Sequence, residues 1–268
     1  MYYTYRDIIG LLRERGIEDA QYEARVLISE LCGIGIADIL ADPTRIYESD
    51  ALVYAVEKRA ARYPLQYIIG EVGFCCGIFS VNESTLIPRP DTEMLVEYAS
   101  ERIEKNGYFA DLCTGSGCIA ISTLVHRPDC RAVAVDISES ALAVAKVNAE
   151  SNGVSDRITF IKNDITAENA LGSSLFDAIA SNPPYIKSDV IDTLQPEVLK
   201  EPRIALDGGS DGLDFYRTLL GSYRANIKPG GFLVCEIGFD QGQRLRDLCG
   251  CGIKKDYSGN DRVMILRC

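Results

Sequence analysis

From residue 108 onward, short apolar runs recur between stretches of helical periodicity, and this alternation limits the fold of the 268-residue chain more than any other feature. The runs occupy 108–113, 132–136, 158–161, 176–181, 232–237 and 263–267, and segments such as 138–151 and 213–227 lie between them. At four to six residues each, the runs are too short for ordinary helices, and their nearly continuous apolar character is that of strands buried on both faces. Helical stretches between such strands supply the crossovers that a mostly parallel sheet requires, so the expected class is α/β, with helices on both faces of the sheet.

The first part of the chain reads differently. Thr4 and Asp7 form a capping pair ahead of Ile8, Leu11 and Leu12, which share one helical face, and Gly16 closes the segment. A second stretch, 19–32, carries Ala24, Leu27, Ile28 and Leu31 at helical spacing before Gly33. A third, 49–63, starts at Ser49 and stops before Pro64. Residues 65–90 change texture to alternating apolar and small side chains with Gly70, Gly73 and Gly77, which suits a β-hairpin or extended connector, and Pro88 and Pro90 punctuate its end. The expected organisation is a helical N-terminal domain over 1–68 that recognises the substrate, a β-hairpin connector over 69–87 and an α/β domain over 88–268.

Composition narrows the function classes. With 47% hydrophobic and 25% charged residues the chain can bury a sizeable core, while a net charge of -11 offers no electrostatic footprint for a phosphate backbone. Nucleic acid is therefore disfavoured as a partner. Residues 1–15 lack the basic-then-apolar order of a signal peptide, and no apolar run reaches the roughly 18 residues needed to span a bilayer. A cytoplasmic protein without membrane contact is expected. The ten cysteines sit mainly in apolar segments, as Cys113, Cys118 and Cys235 do, and are read as reduced core thiols. The adjacent pair Cys75 and Cys76 and the pair Cys249 and Cys251 form no CxxC repeat, so no metal is expected. His126, the only histidine, precedes Arg127 and Pro128 at an expected helix end and reads as a solvated side chain rather than a base.

Two constellations carry chemistry. In Asp111-Leu112-Cys113-Thr114-Gly115-Ser116-Gly117-Cys118 a strand gives way to a helix, the place where a doubly wound sheet meets its ligand. Gly115 and Gly117 let the backbone turn tightly and approach that ligand, and Asp136, 21 residues after Gly115, ends the next strand where a carboxylate accepts ribose hydroxyls. Gly115-x-Gly117-x-x-Ala120 also fits the dinucleotide fingerprint of nicotinamide and flavin enzymes. Asp164, after the third strand, stands where a carboxylate could accept from an adenine amino group, or serve as a helix cap.

The second constellation is Asn182-Pro183-Pro184-Tyr185, after the strand 176–181. Two consecutive prolines fix φ and remove two N–H donors, leaving a stiff, acceptor-rich turn. The Asn182 side-chain oxygen and the Pro183 carbonyl can each accept one hydrogen of an NH2 group, orienting a nitrogen whose lone pair is otherwise delocalised, while Tyr185 packs against a planar target. Such a site needs no strong base before attack, because the proton can leave once the nitrogen is positive. It has no task in hydride transfer.

Together with Pro64-Leu65-Gln66-Tyr67-Ile68-Ile69-Gly70, Leu86-Ile87-Pro88-Arg89-Pro90-Asp91-Thr92-Glu93, Glu201-Pro202-Arg203-Ile204-Ala205-Leu206 and Gly259-Asn260-Asp261-Arg262, these segments make the chain resemble the peptide chain release factor N5-glutamine methyltransferases over nearly its whole length. The resemblance implies S-adenosyl-L-methionine as cofactor and a Rossmann-like, seven-stranded methyltransferase domain joined by a β-hairpin to a small all-helical N-terminal domain. It implies that Cys113, Thr114, Gly115, Ser116, Gly117, Asp136, Asp164 and Asn182 bind cofactor. Asn182 and Pro183 become the expected catalytic pair, with Pro184 and Tyr185 as further substrate contacts. The implied substrate is the glutamine of a Gly-Gly-Gln loop in a class 1 peptide chain release factor. Cys113 stands where many relatives have glycine, and Ile165 where some have an aromatic residue near adenine. Arg89 and Glu93 read either as cleft wall or as a surface ion pair, and Arg203 as a structural clamp or a substrate contact. The tetrapeptide is shared with adenine-N6 methyltransferases of nucleic acid, which remain the main alternative. A ribosome-associated binding protein that kept the fold is a further one.

Overall fold

The computed structural model describes residues 2–75, 77–167 and 169–268, so Cys76 lies outside the described residues. Two compact units are present, Met1–Gly70 with Gln195–Lys200, and Glu71–Leu194 with Glu201–Cys268.

The first unit begins with a two-residue strand β1 (Tyr3–Thr4), followed by α1 (Tyr5–Glu14), α2 (Ala20–Cys32), α3 (Ile36–Ala41), β2 (Ile46–Tyr47), α4 (Asp50–Ala60) and α5 (Leu65–Ile69). The capping box read at Thr4 forms: Thr4 Oγ1 accepts from Asp7 N at 3.2 Å, and Asp7 Oδ2 accepts from Thr4 N at 2.9 Å. Gly33 ends α2 at φ +66°, and Ser49 caps α4 by accepting from Leu52 N. Ile8, Leu12, Leu27, Ile28, Leu52 and Val56 are fully buried between these helices. The helical unit also holds a ladder that the sequence did not suggest, Tyr3 opposite Tyr47 and Thr4 opposite Ile46. Arg59, 5% exposed, pairs with Glu23 and, at 2.9 Å, with Glu197, which Arg62 also holds at 2.6 Å. Burial would raise the Glu197 carboxyl, but the two guanidinium groups outweigh it and hold the group down to about 2.

Residues 65–69 form a helical turn, where the texture of 65–90 had suited a β-hairpin or extended connector although the domain expected over 1–68 was helical. Pro64 at its N-terminus and Gly70 in the left-handed region at φ +89° are start and stop signals that the glycine-rich texture beyond Gly70 obscured.

The second unit opens with the hairpin β3 (Glu71–Phe74) and β4 (Gly77–Ser80), antiparallel with Glu71 opposite Ser80. It continues through α6 (Glu93–Arg102), β5 (Tyr108–Leu112), α7 (Cys118–His126), β6 (Arg131–Asp136), α8 (Glu139–Ser151), β7 (Ile158–Lys162), β8 (Phe176–Ser181), α9 (Asp214–Thr218), β9 (Ile227–Glu236), α10 (Gly242–Cys249), β10 (Gly252–Lys255) and β11 (Asp261–Arg267). The seven-stranded sheet has the order β10-β11-β9-β8-β5-β6-β7. The four pairings from β9 to β7 are parallel and the two made by β11 are antiparallel, as a mostly parallel sheet demands.

Alternate residues of each strand point to opposite faces, and here both faces are apolar. Phe109, Ala134, Ala178 and Val234 join one cluster with Leu95 and Ile121 of the helices. Ala110, Val133, Ile179 and Leu233 join another with Tyr216 and Leu245. Truncating a fully buried ring such as Phe109 to Ala would cost about 3–5 kcal/mol. The hairpin is fastened to the same unit by Asn148, fully buried on α8: Ser80 N donates to its Oδ1 at 2.7 Å, and its Nδ2 donates to the carbonyls of Ser80 and Ser116.

Cys118, Cys130, Cys235 and Cys251 are buried free thiols. His126 ends α7, exposed, with Nδ1 2.9 Å from the Ser122 carbonyl oxygen. Among the described residues no cluster of candidate metal ligands occurs, and no helix is long and apolar enough to cross a membrane.

Candidate active site

The sheet's topological switch lies between β5 and β8, where the chain order reverses, and an open α/β sheet binds ligands outside the strand carboxyl ends at such a point. A cavity occupies that position. Its wall includes Cys113, Thr114, Gly115 and Ser116 after β5, Asp136 at the end of β6, Asp164 after β7, and Asn182 and Pro184 after β8. Gly117, Pro183 and Tyr185 are not among the lining residues.

The loop after β5 takes its shape from its backbone. Cys113, Gly115 and Gly117 all lie in the left-handed region, at φ +62°, +56° and +81°. A Cβ at Gly115 would meet nothing within 4 Å, so that face is open, whereas one at Gly117 would come within 2.7 Å of Ile121 Cδ1 and 3.2 Å of Ala145 Cβ. Gly117 is thus required twice, by φ and by packing. The position of Cys113 at positive φ is the physical reason a glycine is at home there.

Asp136 Oδ2 accepts from Gly115 N at 2.8 Å and Oδ1 from Ser138 N at 2.9 Å. Burial raises its carboxyl and these backbone donors oppose the rise. Each oxygen keeps a second lone pair for a ligand hydroxyl. Asp164 Oδ1 accepts from both the N and Oγ1 of Thr166, which lowers its carboxyl. Behind the loop, Asp111 is fully buried; its Oδ2 accepts from Thr114 Oγ1 and Ala120 N, its Oδ1 has no partner among the described residues, and burial pushes the carboxyl up to about 7. Ile165, 5% exposed, adds an aliphatic surface to the cavity beside Ile119, Ile137 and Ala141.

At the other end, Asn182 Nδ2 donates to Thr92 Oγ1 at 3.3 Å. Neither Asn182 Oδ1 nor the Pro183 carbonyl is engaged by another described residue. Tyr185 is half-buried; its hydroxyl donates to Glu236 Oε1 at 3.1 Å, and its carbonyl accepts from Gln241 Nε2 at 2.9 Å. Thr92 Oγ1 donates to Glu236 Oε2 at 2.5 Å. Burial raises the Glu236 carboxyl, and the two hydroxyl donors oppose that.

Arg89 does not pair with Glu93. Its guanidinium meets Glu201, whose other oxygen accepts from Ile87 N at 2.9 Å, while Glu93 accepts from Cys75 N at 2.7 Å. The pairing joins 86–90 to 201–205, and Leu86, Pro88, Pro202, Ile204 and Ala205 all line the cavity. Arg262 pairs with Asp91 and Asp256, each at 3.1 Å, fastening the 259–262 segment beside Thr92. Arg203 is exposed and pairs with Asp192 at 2.9 Å and Asp207 at 3.6 Å, as a clamp within its own loop does.

Thr92 and Glu236 escaped the sequence reading as site residues. Glu236 did carry a signal: it is the one acid within the apolar run 232–237, and a strand carboxylate buried on a sheet needs partners to stay there.

The Methyltransferase small domain family matches residues 76–210, and the PrmC N-terminal domain family matches residues 5–70. Two curated relatives, both named release factor glutamine methyltransferase, run nearly end to end with the chain. That of Moorella thermoacetica is 40% identical over 281 residues, covering 98% of this chain and 98% of the relative. That of Caulobacter vibrioides is 38% identical over 266 residues, covering 95% and 91%. Among solved structures, the hMettl16 catalytic domain in complex with MAT2A 3'UTR hairpin 6 superposes with a TM-score of 0.53 at 15% identity, covering 82% of this chain and 84% of that one. A likeness at that identity shows the fold alone.

Proposed function

This chain belongs to the release factor glutamine methyltransferase family, and we therefore propose that it methylates the side-chain amide nitrogen of the Gly-Gly-Gln glutamine in a class 1 peptide chain release factor, using S-adenosylmethionine. The observation that carries the reading is the free acceptor pair, Asn182 Oδ1 and Pro183 O, at the carboxyl end of β8 beside the cavity.

The residues present fit the cofactor. Asp136 has lone pairs left for two hydroxyls, Gly115 leaves its side of the loop open, and Ile119, Ile137, Ala141 and Ile165 give an apolar wall for a flat ring. When bound, S-adenosylmethionine supplies an electrophilic methyl group on a sulfonium. The chain's own part is to hold the attacking nitrogen. Asn182 Oδ1 and the Pro183 carbonyl each accept one amide hydrogen, which turns the nitrogen lone pair away from conjugation and fixes its direction, and such orientation lowers the barrier by removing freedom before the step. After transfer the nitrogen is cationic and gives up a proton readily, so no side chain need act as a base beforehand. The helical unit is the natural reader of the protein substrate, because the second unit alone already holds both constellations.

The same acceptor pair would orient an adenine amino group. The end-to-end match to relatives named for release factors, together with the net charge of -11, favours the glutamine reading. Incubated with methyl-labelled S-adenosylmethionine, the protein should label a release factor and spare one whose loop glutamine is replaced, and mass spectrometry of the Gly-Gly-Gln peptide locates the methyl group. Labelling of RNA or DNA without any on the release factor would overturn the glutamine assignment.

A further inference from the structure

A carboxamide can present either its oxygen or its NH2 to a pocket, and only one orientation makes Asn182 an acceptor. Whatever holds that amide therefore decides whether the site works. The hydrogen-bond chain behind Asn182 has one consistent direction. Glu236 Oε1 receives the Tyr185 hydroxyl at 3.1 Å and Oε2 receives the Thr92 hydroxyl at 2.5 Å, so both oxygens act as acceptors. A threonine hydroxyl has a single hydrogen. With it committed to Glu236, Thr92 Oγ1 can offer Asn182 only a lone pair, and the atom facing it at 3.3 Å is Nδ2.

The geometry points to Glu236 and Thr92 as positioning residues that lock the Asn182 amide with its oxygen toward the substrate nitrogen. This rests on the reading of Asn182 given above. In the flipped amide, Oδ1 would face a Thr92 oxygen whose hydrogen is already spent, placing two acceptors against each other. The relay is itself held rigidly: Thr92 is 1% and Glu236 2% exposed, and the Tyr216 hydroxyl donates to the Glu236 carbonyl at 2.8 Å. Burial and the Asp91 charge push the Glu236 carboxyl up, against the two hydroxyl donors and Arg262, which favour the acceptor form. Glu236 is not a base for the reaction, because it is 2% exposed and does not line the cavity. It acts only through Thr92 and Asn182.

The test compares Thr92→Val, which keeps the shape and removes the hydroxyl, with Thr92→Ser, which keeps the hydroxyl, and with Glu236→Gln, whose NH2 can donate to Thr92 and let that hydroxyl turn toward Asn182. In the release-factor assay Thr92→Val and Glu236→Gln should lower kcat about 10- to 100-fold, the usual effect of losing one orienting hydrogen bond, with KM changed less than about threefold and Thr92→Ser close to wild type. Thr92→Val added to Asn182→Ala should lower kcat no further than Asn182→Ala alone. An equal additional loss in that background, or full activity of Thr92→Val, overturns the inference. A substrate-free measurement separates this outcome from a failure of the glutamine reading. In ¹⁵N-labelled protein the Asn182 side-chain amide, identified by its disappearance in Asn182→Ala, should exchange its hydrogens with solvent about tenfold faster in Thr92→Val than in wild type or Thr92→Ser. Equal exchange in all three sinks the relay whatever the substrate proves to be.

Discussion

The two ends of the cavity solve the problem of holding a ligand in opposite ways. At the loop 113–117 the shape is carried by backbone, with three residues at positive φ and a glycine that packing will not let grow. At Asn182 the shape is carried by one side chain whose orientation is fixed through Thr92 to a carboxylate buried behind it. Backbone geometry tolerates changes of side chain that respect φ. A side-chain acceptor tolerates none that remove the oxygen.

Substitutions at each end should break along that line. The largest effect is expected for Asn182→Ala, which should lower kcat by about 100-fold or more while cofactor affinity moves by less than about threefold, because one of two orienting groups is lost. Steady-state kinetics beside a calorimetric cofactor titration would separate the two numbers, and a matching loss of affinity would mean Asn182 serves the cofactor instead. Gly117→Ala should be next, destabilising the fold by about 2–3 kcal/mol from left-handed strain and the clash with Ile121, and weakening cofactor binding along with it. Thermal melts read the first effect. Asp136→Asn should raise the cofactor Kd by about tenfold and leave kcat at saturation nearly intact, the reverse of the Asn182 pattern.

The buried Asp111 makes the end of the cavity at loop 113–117 sensitive to pH. Its carboxyl is pushed up to about 7, above the ordinary value, so between about pH 4 and 7 the folded chain keeps a proton that the unfolded chain has lost. Folding stability from this group therefore falls as pH rises through that window, on the order of 1 kcal/mol per pH unit, and is level outside it. Asp111→Asn should flatten that part of the melting-temperature profile; an unchanged slope would assign it to other groups. The smallest effect is expected for Cys113→Gly, which relieves positive-φ strain while giving up a small side chain, and should leave stability and activity within about 1 kcal/mol of wild type.

How much could be read from the sequence follows the same division. Strands such as Phe176–Ser181 and caps such as Thr4 announce themselves locally, because a buried strand must be apolar and a helix start must satisfy its first N–H groups. Gly252–Lys255 did not: a glycine and two lysines make no apolar run, and the segment is a strand only because β11 pairs with it. The loop 113–117 and the tetrapeptide were visible as motifs, since each is continuous in sequence. The side-chain partner of Asn182, Thr92, lies 90 residues before it, and the carboxylate that Thr92 donates to, Glu236, lies 144 residues after Thr92. No local pattern joins such positions. Arg89 and Glu93 were likewise open between cleft wall and surface ion pair, and the actual partner of Arg89, Glu201, lies 112 residues away.

The short segment Gln195–Lys200 has a consequence for how the molecule can come apart. It is grouped with the helical unit, yet the chain on either side of it belongs to the other one, so the polypeptide passes between the units three times. Melting the helices would set free Glu197 from Arg59 and Arg62, and with it the stretch that connects the acceptor tetrapeptide to Glu201, the partner of Arg89 next to cavity-lining Pro88 and Pro202. Loss of order in the first seventy residues would thus be felt as slack in a chain whose ends are fixed at the chemistry.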